Sequence, residues 1–342
     1  MRNSFCLAAG ALAAALVAGA AQAQVAYLGT GGAPTGKGSN YYEGYGPAIQ
    51  DALNPLLTAL LYPELELRPS NGTGANIAAC AAETSDLCFG LAQGDSSPTY
   101  DAVKSGEVVI VRADLPAECG FAFASNPEIN NWTTVQKYAR RITFYMPPNS
   151  GTADYFANLS SVDRDFTGID VKIEYIDGGA SALLDAVADD PRGIGLTVTF
   201  PNPGGGIIKS AADRGFEVFG AASPSMRTLK HEDGSPMYQV NPGVPYKFAW
   251  LGFGETKTTV SLCAPAAIVA TNPDQIADDL VREDMETLIR QIRRLPADEF
   301  TPKRGPLARL FKEVNELSTS VGLDRALTQI QETTANVVRE LE

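Results

Sequence analysis

Two glycine-rich turns about forty residues apart, within Gly29–Gly38 and Asn71–Gly74, each separate an apolar strand-like run from a helix-like pattern, and this order limits the fold more than any other feature of the chain. Val25–Leu28 is the first apolar run, and Ile49, Leu53, Leu56, Leu57 and Leu60 then recur on one side of a helix. Leu65–Arg68 reads as the next strand, Ala75–Ala82 as a helix and Leu87–Ala92 as a third strand. Successive β-α units of this kind build a sheet with helices on its faces, not a repeat array.

The pattern then stops and restarts. Val108–Arg112 and Gly120–Ala124 are apolar strands around Cys119, and the polar stretch Ser125–Thr133 marks a change of lobe. A second set follows: strand Arg141–Met146, turn Pro147–Thr152, a helix from Ala153, strand Val171–Ile176, helix Ala180–Ala188 and strand Gly193–Phe200, ended by the Pro/Gly run at 201–206. Phe216–Phe219 is one more strand, and the proline-rich segment from Ser223 to Pro245 shows no periodicity. Val260–Ala270 brings back an apolar strand. Asn272 is placed to cap a helix with Pro273 at its first position and Gln275 as capping-box partner, Ile276, Leu280, Met285, Leu288, Ile289 and Ile292 recurring at helical spacing. Further helices are expected near Leu307–Leu317 and Asp324–Leu341. The order predicts an α/β protein of two lobes joined by a two-crossing hinge, with a helical C-terminus. Residues 24–120 begin the first lobe, 121–220 form the second, and 221–342 return to the first, with crossings near 115–125 and 215–260.

The first 23 residues read as a secretory leader, since Arg2 precedes the apolar stretch Phe5–Gly19 and Ala21-Gln22-Ala23 is a small-x-small cleavage signature. The mature chain is then expected to start at Gln24, in the periplasm; a retained membrane anchor is the competing reading. With 27 Lys and Arg against 40 Asp and Glu the chain is strongly acidic, which argues against nucleic acid or an anionic membrane as partner. Cys80, Cys88, Cys119 and Cys263 remain after cleavage, an even number that favours two disulfides in an oxidising compartment. Of three pairings, Cys80–Cys88 with Cys119–Cys263 is favoured: the first clips a helix to the following strand, the second ties distant segments near the hinge. Metal binding is disfavoured by the lack of a C-x-x-C pair and by a single histidine.

In open α/β lobes ligands settle beyond the carboxyl ends of the strands. Four loops fit that position: Thr30–Asn40, Ser70–Asn76, Gln93–Ser97 and, from the other lobe, Asn149–Thr152. The candidate ligand-binding residues are Thr30, Gly31, Gly32, Ser39, Asn40, Tyr41, Thr73, Gly74, Asn76, Gln93, Asp95, Ser150, Gly151 and Thr152, with Phe200 and Asn202 meeting the ligand on closure. Backbone N–H groups at helix starts suit carboxylate or phosphate even in an acidic protein. Gly31–Gly38 nearly matches a phosphate loop, but Gly38 stands where the magnesium hydroxyl belongs, so nucleotide chemistry is not expected and Lys37 reads as a solvated loop residue. No G-x-S-x-G or S-x-x-K occurs, and His231 sits in the proline-rich segment beside Glu232 and Asp233. A binder without cofactor is expected, not an enzyme.

Gly29-Thr30-Gly31-Gly32, Asn40-Tyr41-Tyr42 with Gly44 and Gly46, Asn71-Gly72-Thr73-Gly74-Ala75-Asn76 and Gln93-Gly94-Asp95 together resemble the TAXI-type binding subunits of TRAP transporters, within the type II periplasmic solute-binding proteins. Ser150-Gly151-Thr152 with Phe156, and the A-V-x-x-x-P-x-G-I-G pattern ending at Gly195, resemble phosphate-binding subunits of ABC importers; Pro148 and Asn149 replace the arginine and aspartate that grip phosphate there. The resemblance implies a monomer that captures a small ligand, an organic anion or an amino acid, and delivers it to membrane permease subunits. A phosphate-like oxyanion binder of an ABC importer and a periplasmic sensor for a receptor partner are its alternatives.

Overall fold

The computed structural model describes residues 24–31, 45–202, 206–247 and 257–301. The leader, most of the first glycine loop and the two last expected helices lie outside the described residues. In chain order the elements are β1 (Ala26–Gly31), α1 (Tyr45–Ala59), β2 (Glu66–Ser70), α2 (Thr73–Ala82), β3 (Leu87–Gln93), α3 (Asp101–Lys104), β4 (Val108–Ala124), α4 (Trp132–Tyr138), β5 (Thr143–Met146), α5 (Gly151–Val162), β6 (Lys172–Tyr175), α6 (Gly179–Asp189), β7 (Gly193–Thr199), α7 (Gly206–Asp213), β8 (Glu217–Gly220), β9 (Gln239–Lys247), β10 (Lys257–Thr271) and α8 (Asp279–Arg294).

The strands form one continuous path in the order β2-β1-β3-β10-β4-β7-β5-β6, with β8 added to β4 and β9 to β10. Continuity comes from two long strands. At about 3.3 Å per residue, the 17 residues of β4 reach about 55 Å, enough to cross both lobes, and its antiparallel partner β10 does the same. On one side β1, β2 and β3 pair in parallel, and on the other so do β5, β6 and β7.

Each lobe buries helices on both sheet faces. In the first lobe Ile49, Leu53 and Leu57 of α1 pack with Met285, Leu288 and Ile292 of α8 over Leu28, Phe89 and Ile268, while α2 covers the opposite face with Ile77 and Cys80. In the second lobe Trp132, Phe144, Phe156 and Phe166 form an aromatic core on one face, and Leu183, Leu184, Ile207 and Ile208 pack on Phe121 and Phe123 on the other. Arg112, its side chain nearly buried, holds α8 in place: it donates to the carbonyls of Ile292 and Leu295 at 3.1 and 2.8 Å, where a helix C-terminus favours a cation.

Both favoured disulfides are present. Cys80–Cys88 ties α2 to β3, and Cys119–Cys263 joins directly paired residues of β4 and β10. Above this point β4 and β10 belong to the first lobe's cores, with Val111, Leu115 and Ile268; Phe121, Phe123 and Leu262 belong to the second's. The second bridge therefore sits on the hinge itself. Met226, Met237, Tyr238 and Val244 also pack in the second lobe's cores.

Three local expectations are corrected. Asn272 caps only a short 3-10 turn, Pro273–Gln275; Ile276 is extended and buried, and Asp278 is the N-cap of α8, accepting from Leu280 and Val281 N–H at 2.8 and 3.2 Å. That later start turns Leu280 to solvent at 73% exposure. The segment read as structureless holds β9, whose Pro242 and Pro245 are tolerated because it pairs only with β10. Among the described residues no helix is long and apolar enough to cross a membrane.

Candidate functional site

The parallel strands of the two lobes point their carboxyl ends at one another, and a cleft of about 160 Å³ lies between them. From the first lobe come Thr30 at the end of β1, Ser70 at the end of β2, Gln93 at the end of β3 and Thr73 at the start of α2. The second lobe supplies Ser150, Gly151 and Thr152 at the start of α5, Gly179 and Ala180 at the start of α6, and Thr197 to Phe200 from the end of β7.

Local hydrogen bonds fix this frame. Ser70 Oγ donates to the Thr30 carbonyl at 2.7 Å, Thr73 Oγ1 accepts from Gln93 N–H at 3.1 Å, and Thr152 Oγ1 accepts from Val198 N–H at 3.0 Å. Ser150 is the N-cap of α5: its Oγ accepts from Ala153 N–H at 3.2 Å and donates to the Pro147 carbonyl at 2.7 Å. The hydroxyls thus hold backbone in place. The N-caps of α2 and α6 are Gly72 and Gly178, which offer no side-chain acceptor, so these helix starts carry no side-chain cap and turn their positive dipole ends toward the cleft.

The lobes are closed on each other. Asn71 Nδ2 donates to Asp177 Oδ1 at 3.2 Å, Tyr100 OH donates to Asp154 Oδ2 at 2.7 Å, Tyr238 OH donates to Asp95 Oδ2, and Ala75 N–H reaches the Asn149 carbonyl at 3.3 Å. Gly72 has φ 119°, a conformation that calls for glycine, and a Cβ there would crowd Ser150 Cα at 3.3 Å across the lobe interface. Asn149, at φ 48°, is left-handed without being glycine, a strained position at the cleft edge.

One carboxyl lies inside the cleft. Glu118 is the β4 residue just before Cys119, 8% exposed, and accepts from Gln93 Nε2 at 3.0 Å. Burial pushes it up to about 8, partly opposed by the Gln93 hydrogen bond and reinforced by Asp95. Asp95 is pushed up to about 6 by burial, against the Tyr238 hydrogen bond and with the help of Asp154. Tyr45, whose ring meets Phe200 edge-on at 5.6 Å, walls the same end of the cleft and donates its hydroxyl to the Pro116 carbonyl. No lysine or arginine lines the cleft among the described residues.

Of the sequence-derived candidates, the structure brings Thr30, Thr73, Gln93, Ser150, Gly151 and Thr152 together in the lining, along with Phe200. Gly74, Asn76 and Asp95 lie behind it: Asn76 Nδ2 donates to the Leu91 carbonyl at 2.7 Å, and Asp95 bridges the lobes. Gly31 ends β1, and Gly32, Ser39, Asn40, Tyr41 and Lys37 lie outside the described residues. Arg140 and Arg141 form a 3-10 turn before β5, at the end opposite the cleft. Glu118, Tyr45 and the start of α6 were not anticipated, while Ser70, the first residue of the expected loop Ser70–Asn76, joins the lining. Glu118 carried a signal, an acid directly before a cysteine and an apolar run, but the stretch between Arg112 and Gly120 reads in the sequence as a break between strands.

No family model and no curated protein matches the sequence. Several solved structures are similar in arrangement at low identity. XAC2383 from Xanthomonas citri bound to ATP is 10% identical, covering 93% of this chain and 100% of that one at a TM-score of 0.43. The periplasmic binding protein BugD is 8% identical over 92% and 95% of the two chains, TM-score 0.45. A structure described as a periplasmic transporter is 13% identical over 94% and 97%, TM-score 0.45.

Proposed function

We propose that this protein is a periplasmic solute-binding protein that captures a small ligand between its two lobes and delivers it to a membrane transporter. The observation that carries this reading is the cleft itself: strand ends and the starts of α2, α5 and α6 converge on it from both sides of a two-strand hinge. The positive dipole ends of those helix starts suit an anionic end of the ligand. The cleft hydroxyls are engaged as caps and braces and the walls are largely apolar, which supports binding over catalysis. The motifs Gly29–Gly32, Asn71–Asn76 and Gln93–Asp95 favour a TAXI-type subunit with TRAP permease partners.

A thermal-shift screen finds the ligand class, since a ligand at about a hundred times its Kd adds about 2.7 kcal/mol of stability. Small-angle scattering then tests closure. Saturation with a compound that shifts the transition is expected to contract the protein and narrow its distance distribution. Identical scattering with and without that compound refutes a closing clamp.

A further inference from the structure

We propose that Glu118 is the receptor for a protonated amine, so that the cleft takes small zwitterions in which ammonium and carboxylate stand close together, the α-amino acids above all. The inference rests on the capture reading and names its ligand class. Two buried acceptors share the first-lobe wall, the Glu118 carboxyl and the Gln93 amide oxygen, both on residues that line the cleft. Among the described residues, Gln93 Nε2 provides the only hydrogen bond to the Glu118 carboxyl, and Gln93 Oε1, on a residue 4% exposed, has no donor at all. A buried amide oxygen without a donor is costly. An ammonium group, with its several N–H donors, satisfies both oxygens at once, whereas a carboxylate or phosphate placed there finds only acceptors.

Gln93 also fixes the spacing. Its amide holds Glu118 on one side and on the other lies in contact distance of Gly151, the first residue of α5, where a Cβ would overlap it. The Glu118 carboxyl and the start of α5 therefore flank the same amide group, a span that amine and carboxylate on one carbon can bridge. Tyr45, Phe200 and Leu183 leave apolar wall for a side chain. Asp95 and Tyr45 are the other titratable groups facing Glu118: Asp95 reinforces its raised proton affinity, and the buried Tyr45 hydroxyl stays neutral. In the empty protein at pH 7 Glu118 holds its proton, and an arriving ammonium displaces it.

Calorimetry on the full mature protein with L-leucine, 4-methylpentanoate and 3-methylbutan-1-amine, and with L-glutamate and glutarate, tests this. At least one of the two amino acids is expected to bind at least about thirtyfold more tightly than its deaminated acid, the fold-change for losing one partner of a buried charge pair. Titration in phosphate and in Tris should show close to one proton released per amino acid bound at pH 7. In Glu118→Gln the preference for the amine and the proton release both disappear, while binding of the deaminated acid is retained or improved. Glu118→Asp, which keeps the charge on a shorter arm, should keep the proton release with weaker binding.

Equal affinity for amino acid and deaminated acid, or unchanged amine preference in Glu118→Gln, overturns the proposal. If the deaminated acids alone bind and scattering contracts, the amine receptor fails and the capture reading stands. If neither these compounds nor a broader set of anions, neutral molecules and lipids shifts the melting transition, both fail.

Discussion

Replacing Glu118 by glutamine should make the empty protein more stable, and only above acid pH. The carboxyl moves from an ordinary 4.5 to about 8 because burial disfavours its charged form. Between those two values the folded protein holds a proton that the unfolded chain has released, so stability falls as pH rises through that window. Below it both states are protonated and the group contributes nothing; above it both are ionised and the full penalty applies. At about 1.4 kcal/mol per tenfold displacement, the ceiling is on the order of 5 kcal/mol. Glutamine keeps the shape and an acceptor without the charge. Urea unfolding of wild type and Glu118→Gln at pH 4.5, 6, 7 and 8.5 is the assay. The two should coincide at pH 4.5, and the variant should gain progressively, reaching several kcal/mol at pH 8.5. A residual slope between pH 4 and 6 persists in both, from Asp95, which rises from 3.8 to about 6 for the same reason. Parallel curves with no pH-dependent gap refute the claim that the folded protein holds Glu118 protonated.

Gly151→Ala should weaken binding at least tenfold at little cost in stability, because the new methyl group displaces the movable Gln93 amide and not backbone; binding isotherms beside thermal melts check both halves. Loss of the two disulfides should be unequal. By chain entropy, removing Cys119–Cys263, which closes 144 residues, costs about 5 kcal/mol, and removing Cys80–Cys88, which closes 8, about 2.5 kcal/mol. Paired Cys→Ala variants compared by denaturant unfolding test the ranking, and equal losses contradict it.

The alternation of apolar runs with helical patterns was enough to expose the α/β layering, because each strand end and helix start is written locally in Gly, Pro and hydrophobic spacing. Leu53 and Leu57 face the core at the positions their period implies. What local signals could not supply was continuity: β4 passes through Pro116 and Glu118, two residues that argue against a central strand, because at the hinge the strand passes from one lobe's half of the sheet to the other's, with Glu118 lining the cleft. The same reading that broke the strand hid Glu118. β9 was missed for a related reason, as an edge strand needs no alternation when its outer face meets solvent. Asp95 looked like a ligand contact from its place after β3; only the three-dimensional neighbour Tyr238, distant in sequence, shows it turned away into the lobe interface.

The position of Glu118 divides labour within the cleft. It lies one residue from Cys119, at the point where the bridge to Cys263 pins the two hinge strands, and a group at a pivot moves least when the lobes rotate. A contact with Glu118 is thus available in open and closed forms alike, and equal affinity for two states shifts neither. The starts of α5 and α6 belong to the lobe that swings, so a carboxylate that meets them gains affinity only on closure. On this geometry Glu118 selects which molecules stay in the cleft, and the second-lobe helix starts convert their presence into closing. A ligand with an amine alone should then bind without contracting the protein, and 3-methylbutan-1-amine at saturating concentration, measured by scattering beside L-leucine, separates the two roles; equal contraction by both refutes the division.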